Sequence, residues 1–359
     1  MSYVKERLGK LSTTSLLVLM MVLIIFSIMA SISIGTVDIP ISDVWNVMYN
    51  KILDLLGLDA NQDVLHGAYY NIIWVARTPR AIMSVLIGAL LALAGVVMQA
   101  TVQNPLADPY ILGMSSGASF GATFAIACGA ATIFGGVLAE TGIAFWAFLG
   151  AFGSALAVLT LSSLGGRTTS VKLVLSGTII SSLFGAFSNL IITLFADAQD
   201  MMDITFWLLG SFGGANFDKL VIPAVVLILS TLYFITQIRT LNVMLTGDET
   251  AATLGVDLNR RRRIYVFVCA IITACAVCFC GVIGFVGLMI PHIVRGITGN
   301  NHWKLLPVAI LVGSLFMAWA DIASRVVLEH GQLPIGIITA VCGAPIFAYI
   351  MIKKTYSFN

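Results

Sequence analysis

Seven stretches of this chain, residues 81–107, 109–139, 141–166, 173–196, 220–238, 264–291 and 333–352, contain no Asp, Glu, Lys or Arg. About 20 apolar residues cross a bilayer as a helix, and only helices and closed barrels satisfy every backbone N–H and C=O inside the hydrocarbon. Barrel strands would read as short alternating segments, whereas these runs are continuous. The fold class is therefore an all-α polytopic membrane protein. Composition agrees, with 59% of the 359 residues hydrophobic and 10% charged, against about 25% charged in an ordinary soluble domain. A net charge of +2 offers no basic stripe to a nucleic acid.

The pattern predicts about ten transmembrane helices, near 13–34, 80–103, 110–133, 143–164, 171–195, 219–238, 264–284, 288–298, 305–326 and 334–352, in one domain over 1–359. The charged start "MSYVKERLGK" looks like that of a signal peptide, but the apolar stretch after it runs about 20 residues, longer than the 7 to 15 of a cleaved signal; it is read as a retained first helix. Helices two to five and seven to ten form two four-helix blocks entering from opposite sides, as inverted repeats do in transporters. With the N-terminus inside, Lys5, Arg7, Lys10, Arg167, Lys172, Arg239, Arg260 to Arg263, Arg295, Lys304, Lys353 and Lys354 collect on the inner side, while Lys51, Arg77, Arg80, Lys219 and Arg325 lie outside. The positive-inside rule then puts both termini in the cytoplasm.

On this topology the segment 240–263 is cytoplasmic, and within it "GDETAATLGVD" is a polar island closed by "NRRRR". Gly247 enters a short exposed helix, Asp248 and Glu249 sit at its positive start, and Gly255 ends it. Ala251, Ala252 and Leu254 would present a small apolar face to a soluble partner; a solvated loop is the equal alternative. The four arginines are read as holding the next helix at the headgroups. Outside, residues 35–79 carry "SDVWNVMYNKILDLLG", where Val44, Met48, Ile52 and Leu55 recur at helical spacing and, with Ser42 as the candidate N-cap, predict a short amphipathic helix lying on the outer surface. Asp197, Asp200 and Asp203 are read as a solvated acidic loop, lacking the glycine punctuation of a calcium loop, and Ile204 to Leu209 as a brief re-entrant helix. The cluster "CAVCFC" is read as packing and not as a metal site, because Cys275 and Cys280 diverge by about 140° around a helix. Gly88, Gly95, Gly113, Gly117 and Gly121 are read as close-packing positions; Pro105 and Pro109 end one helix and reset the chain for the next.

For function, a membrane enzyme would need a catalytic set inside the spans, and His292 and Asp321 stand on different segments without supporting motifs. An ion-coupled carrier would bury carboxylates near the midplane, which this chain almost lacks. ATP hydrolysis is not encoded here, since the only Gly-Lys pair, Gly9 and Lys10, is followed by Leu11 and makes no phosphate-cradling loop. A separate ATPase would need a cytoplasmic handle, and the island is the candidate.

Four segments, "RTPRAIMSVLIGALLALAGVVMQATVQNPLADPYILGMSSGASFGA" from Arg77, "GDETAATLGV" from Gly247, "GVIGFVGLMIPHIVR" from Gly281 and "QLPIGIITAVCGAPIFAYIM" from Gln332, resemble, in the expected order, the permease subunits of FecCD-type (type II) ABC importers for iron chelates, haem and vitamin B12. The resemblance implies an inner-membrane permease of ten helices paired with a second copy or homologue. Its partners would be two ATP-binding subunits that carry the ATP and Mg²⁺, and an extracytoplasmic substrate-binding protein; the permease itself holds no cofactor and no metal and is not an enzyme. It also implies that Gly247, Asp248, Glu249, Ala251, Ala252, Leu254 and Gly255 form the ATPase-coupling helix. Arg77, Arg80 and Arg325 would receive acidic residues of the binding protein, where a headgroup anchor, or for Arg325 an i,i+4 pairing with Asp321, is the plainer alternative. Ser170 and Val171 match the cytoplasmic gate region, although the Thr169–Ser170 pair stands one position early relative to Gly177. "FWLLGSFGGANF" is nearer to iron-chelate members, which orders the substrates as ferric siderophore, then haem, then cobalamin.

Overall fold

The computed structural model describes residues 13–352 apart from 36, 38, 68, 133–141, 165, 167, 329 and 330. The termini, and with them Lys5, Arg7, Lys10, Lys353 and Lys354, as well as Arg167, lie outside the described residues. The helices that follow are α1 Thr13–Ser33, α2 Ile41–Leu55, α3 Thr78–Val102, α4 Met114–Ala127, α5 Gly142–Ser163, α6 Ser170–Phe195, α7 Ala198–Leu209, α8 Phe217–Thr236, α9 Ile238–Met244, α10 Asp248–Thr253, α11 Leu258–Cys280, α12 Val286–Thr298, α13 His302–Val326 and α14 Ile335–Ile352. Among the described residues a helix stands at each of the ten expected places, as α1, α3 to α6, α8 and α11 to α14; seven of them, α1, α3, α5, α6, α8, α11 and α13, are long and apolar enough to cross a membrane, while the helix expected over 110–133 is the shorter, 14-residue α4. A π-helical segment, Asn71–Arg77, lengthens α3 into a continuous Asn71–Val102 rod.

Several helices begin earlier than the apolar runs suggest, because their starts are set by caps. Asp257 accepts from Arg260 N at 3.1 Å, so α11 starts at Leu258 and carries all four arginines in its first turns. Asn301 and Asn216 likewise cap α13 and α8, each satisfying an amide N–H left open at a helix start. The acidic loop and the re-entrant helix are corrected together. Asp197 and Asp200 form a reciprocal capping box at the head of the twelve-residue α7. That helix ends at Gly210 (φ 77°), where Ser211 N donates to Cys280 O at 2.9 Å and Ile335 N to Gly210 O at 3.1 Å.

The core is built around α3. In its most apolar window 83% of the residues are buried, against 11% in α6, so α3 is the central post and α6 stands at the edge. A Cβ on Gly88 would collide with the backbone of Gly313 in α13, and one on Gly95 with the backbone of Gly287 in α12. Gly117 and Gly121 of α4 meet Gly150 and Trp146 of α5 in the same way. Small residues let helix backbones approach where lipid supplies no hydrophobic drive. Because α3 packs against α11, α12 and α13, the two four-helix blocks interleave instead of forming separate bundles. Cys269, Cys275, Cys278 and Cys280 are buried in α11, whereas Cys128 and Cys342 are exposed. Among the described residues no group of His, Cys, Asp or Glu has the arrangement of a metal site.

Candidate functional site

At the end of the molecule where Lys172, Arg239 and Arg260 to Arg263 gather, α9, α10 and the start of α11 form a compact cap. Gly247 enters α10 with φ 95° and Gly255 leaves it with φ 76°, conformations that side-chain-bearing residues rarely take. Asp248, the first residue of α10, is gripped by Arg262 through two hydrogen bonds, Nη1 to Oδ2 at 2.9 Å and Nη2 to Oδ1 at 2.7 Å. Arg262 is buried and also donates from Nε to Thr101 O at 3.1 Å. Gln103 Nε2 adds bonds to Asp248 Oδ1 and to Met244 O, both 2.8 Å. The Arg262 hydrogen bonds hold the Asp248 carboxyl below its ordinary value against the opposing effect of burial. Thus α10 is bolted to the end of the central post by charge-assisted bonds.

The outward face differs from the expected one. Ala251 is buried, while Glu249, Ala252, Leu254 and Gly255 are exposed, Leu254 at 61%. A six-residue helix clamped at Asp248 must turn one side inward, and the turn after it rests on Ala251 O through Val256 N at 3.0 Å. Beside α10 lies an open cavity of about 550 Å³ reaching Thr168 and Thr169 across to Asp257 and Arg262. Its far wall is tied by Thr168 N donating to Asn259 Oδ1 at 3.0 Å. Thr169 then caps α6 through Lys172 N at 3.3 Å. Ser170, first residue of α6, is half-buried and Val171 is exposed at 67%. The structure therefore brings the start of α6 and the α10 cap together across one cavity.

Arg77, Arg80 and Arg325 gather at the opposite end, but all three are buried. Arg77 donates to the carbonyls of Ile32, Ser33 and Val37 at 3.0, 2.9 and 2.6 Å, closing the last turn of α1. Arg325 donates to Ile34 O at 2.9 Å and Ser31 Oγ at 2.7 Å, and its Nη2 lies 3.1 Å from Asp321 Oδ2. Arg80 bonds Asp321 Oδ1 through Nε at 2.8 Å and Gln332 Oε1 through Nη1 at 2.6 Å. Exposed hooks for a partner's carboxylates are thus not what this chain presents. A buried guanidinium needs acceptors, and those nearest are the open carbonyls at and just after the end of α1 and the buried carboxylate of Asp321. The i,i+4 pairing of Arg325 with Asp321 is present. His292 and Asp321 are not brought together, since Asp321 belongs to this cluster and His292 to α12 near the other end.

Four residues that hold the α10 cap in place carry no such role in the sequence. Arg262 reads with its neighbours as a headgroup anchor, although it alone of the four is buried; at i+4 from Leu258 and i−3 from Tyr265, both buried, it falls on the buried face of α11. Gln103, Thr168 and Asn259 gave no signal, because their partners are distant in sequence.

The profile of the FecCD transport family matches residues 23–353. The ABC transporter permease protein YvrB of Bacillus subtilis (strain 168) is 39% identical over 331 residues, covering 91% of this chain and 90% of its own length. The cobalamin import system permease protein BtuC of Halobacterium salinarum is 36% identical over 280 residues, 78% of this chain and 73% of that protein. A solved inward-facing metal-chelate type ABC transporter superposes with a TM-score of 0.78 at 30% identity, covering 95% of this chain and all of that one. The chain belongs to the FecCD transport family of ABC transporter permeases.

Proposed function

We propose that this chain is the permease of an ATP-driven importer that receives an iron chelate, a ferric siderophore before haem, from an extracytoplasmic binding protein. The observation that carries the reading is the exposed face of α6. A helix long enough to span the bilayer stands at the edge of the molecule with Thr178, Ser182, Asn189 and Thr193 exposed along one side. The hydroxyls of Thr178, Ser182 and Thr193 donate to carbonyls four residues back in α6, but a carboxamide such as that of Asn189 facing lipid is costly, and in membrane proteins such groups face a partner helix or a water-filled path. A second copy or homologue covering this face would enclose that path. The α10 cap, with Leu254 and Ala252 outward, is the handle for the ATPase subunits, which carry ATP and Mg²⁺; the basic end is accordingly cytoplasmic. Ser170 and Val171, which follow Thr168 and Thr169 of the cavity wall beside that handle, serve as the gate. The binding protein docks at the other end, on a surface that the Arg77, Arg80 and Arg325 network holds in shape. Cobalamin is the second reading, favoured by the identity to a cobalamin permease.

Reconstitution tests the proposal. Proteoliposomes holding the chain with its ATPase, supplied with binding protein, should accumulate a ferric hydroxamate only when ATP is present. Accumulation of cobalamin but not of ferric hydroxamate or haemin would transfer the assignment to the second reading, and ATP-independent uptake would remove the importer assignment altogether.

A further inference from the structure

The sequence predicts one apolar stripe on α2, and the structure divides that helix's apolar sector between two environments. Val44 and Val47 are buried, packed with Ile32 of α1 and with Ile73 and Ala81 along the α3 rod, and Ile28, Met48, Tyr70 and Trp74 close around them. Thr78 Oγ1 also reaches Met48 Sδ at 3.7 Å. That face is fully employed in holding α2 to the ends of two spanning helices. A second sector, turned away from the protein, carries Ile41, Trp45, Tyr49, Ile52 and Leu55, all exposed, with Trp45 at 57% and Tyr49 at 62%. At 100° per residue these five positions fall within an arc of about 120°. Asn46, Asn50 and Asp43 occupy the sector between, so the exposed stripe has polar residues on one flank and the protein on the other.

What covers this stripe follows from its height. With 21 residues, α1 is about 31 Å long at 1.5 Å per residue, which matches the roughly 30 Å of bilayer hydrocarbon. Ile28 and Ile32, against which α2 leans, stand five residues and one residue before the end of α1, or roughly 8 and 2 Å below it. α2 therefore lies at the level where acyl chains give way to headgroups. Amphipathic helices bury an apolar face at about that depth, 5 to 10 Å into the boundary, and Trp and Tyr are enriched there because their rings are apolar with a polar edge. α1 itself exposes Val18, Val22, Ile25 and Phe26 beneath, so the lipid shell around α1 continues onto α2.

We infer that α2 is a membrane-interface helix whose Ile41, Trp45, Tyr49, Ile52 and Leu55 face enters the lipid boundary, a phosphatidylcholine-type headgroup and upper acyl-chain environment. It acts as an outrigger: one face grips α1 and α3, and the other fixes the depth of their ends in the bilayer. The assignment is independent of what the permease carries.

The test uses the whole chain in nanodiscs, with the emission of Trp45 obtained as the difference between the wild type and Trp45→Phe. Phosphatidylcholine brominated high on its acyl chains should remove most of the Trp45 emission, and lipid brominated near the chain ends should remove much less. Asn46→Trp in the Trp45→Phe background, one position around the helix in the polar sector, should escape both lipids. No quenching of Trp45 by either lipid overturns the inference; acrylamide then tells which rival holds, reaching the ring if water covers it and failing to if a second copy or the binding protein does. Equal quenching of Trp45 and of the tryptophan introduced at position 46 overturns the two-faced assignment as well. Thermal unfolding of both variants near the wild-type temperature ensures that the fold is intact in each arm.

Discussion

Asp321 has no exposed side-chain surface and is the carboxylate shared by Arg80 and Arg325. Removing one partner of a buried pair leaves the other charge unpaired, at a cost of about 3–5 kcal/mol. Asp321→Asn should therefore lower stability by an amount of that order, read as an earlier thermal transition of the purified protein. Arg77→Gln should act similarly though more weakly, since it strips donors from three carbonyls of neutral peptide groups. If these variants kept wild-type stability and lost only affinity for a binding protein, the arginines would be docking groups after all. Asp248 makes a different prediction, tied to pH. Its carboxyl is held below the ordinary value of 3.8, so the folded state binds the proton more weakly than the unfolded chain. The clamp's contribution is then complete above that ordinary value and is lost as pH falls through the lowered one. Coupling of ATP hydrolysis to uptake should show no pH dependence from this residue across the neutral range, and Asp248→Asn should weaken it at neutral pH. A wild-type coupling ratio in Asp248→Asn would sink the clamp.

At the scale of elements, the helix positions were legible because apolar length is a local property, and the glycine contacts were legible because Gly88, Gly95, Gly117 and Gly121 recur along helix faces. Helix starts were less legible. Apolar runs mark where lipid begins, whereas the backbone starts its helix at a cap, as Asp257 does some seven residues before the charge-free run of α11. Long-range ties were not legible at all. Gln103 ends α3 in the left-handed region at φ 53°, a position more often given to Gly or Asn, and its side chain reaches α9 and α10 across about 140 residues of sequence. The strained conformation aims that amide, and this separates two variants. Gln103→Gly should relieve the strain, worth about 1 kcal/mol, and so unfold no earlier than Gln103→Ala, yet both should weaken stimulation of the ATPase by substrate equally. If the glycine variant kept full coupling, the tether between α3 and α10 would carry no signal. Asn259→Ala, which frees the Thr168 amide, should loosen the start of α6 and raise uncoupled ATP hydrolysis while leaving α10 in place.

For the whole molecule, the decisive asymmetry is that one membrane-length helix is central and another is bare. α3 is enclosed by α1, α8 and α11 to α13, and α6 shows most of its surface. Two kinds of exposure occur on the periphery and they differ in chemistry. α8 turns Val221, Val225, Ile228, Leu229 and Leu232 outward, a continuous aliphatic face suited to lipid. α6 interleaves Ile179, Leu183, Phe187 and Leu190 with Thr178, Ser182 and Asn189. Two such faces meeting across a two-fold axis would shelter the polar residues from lipid, and an isologous contact brings the same residue of each copy close to itself near the axis. Cysteines placed at Ser182 or Asn189, in a chain whose exposed Cys128 and Cys342 are replaced by serine, should then join two copies through a short bifunctional thiol reagent in native membranes. A cysteine at Leu232 should take a lipid-soluble maleimide without cross-linking. Cross-links at Leu232 and none along α6 would put the second copy on the wrong face, and the polar stripe would then need an occupant within its own bilayer.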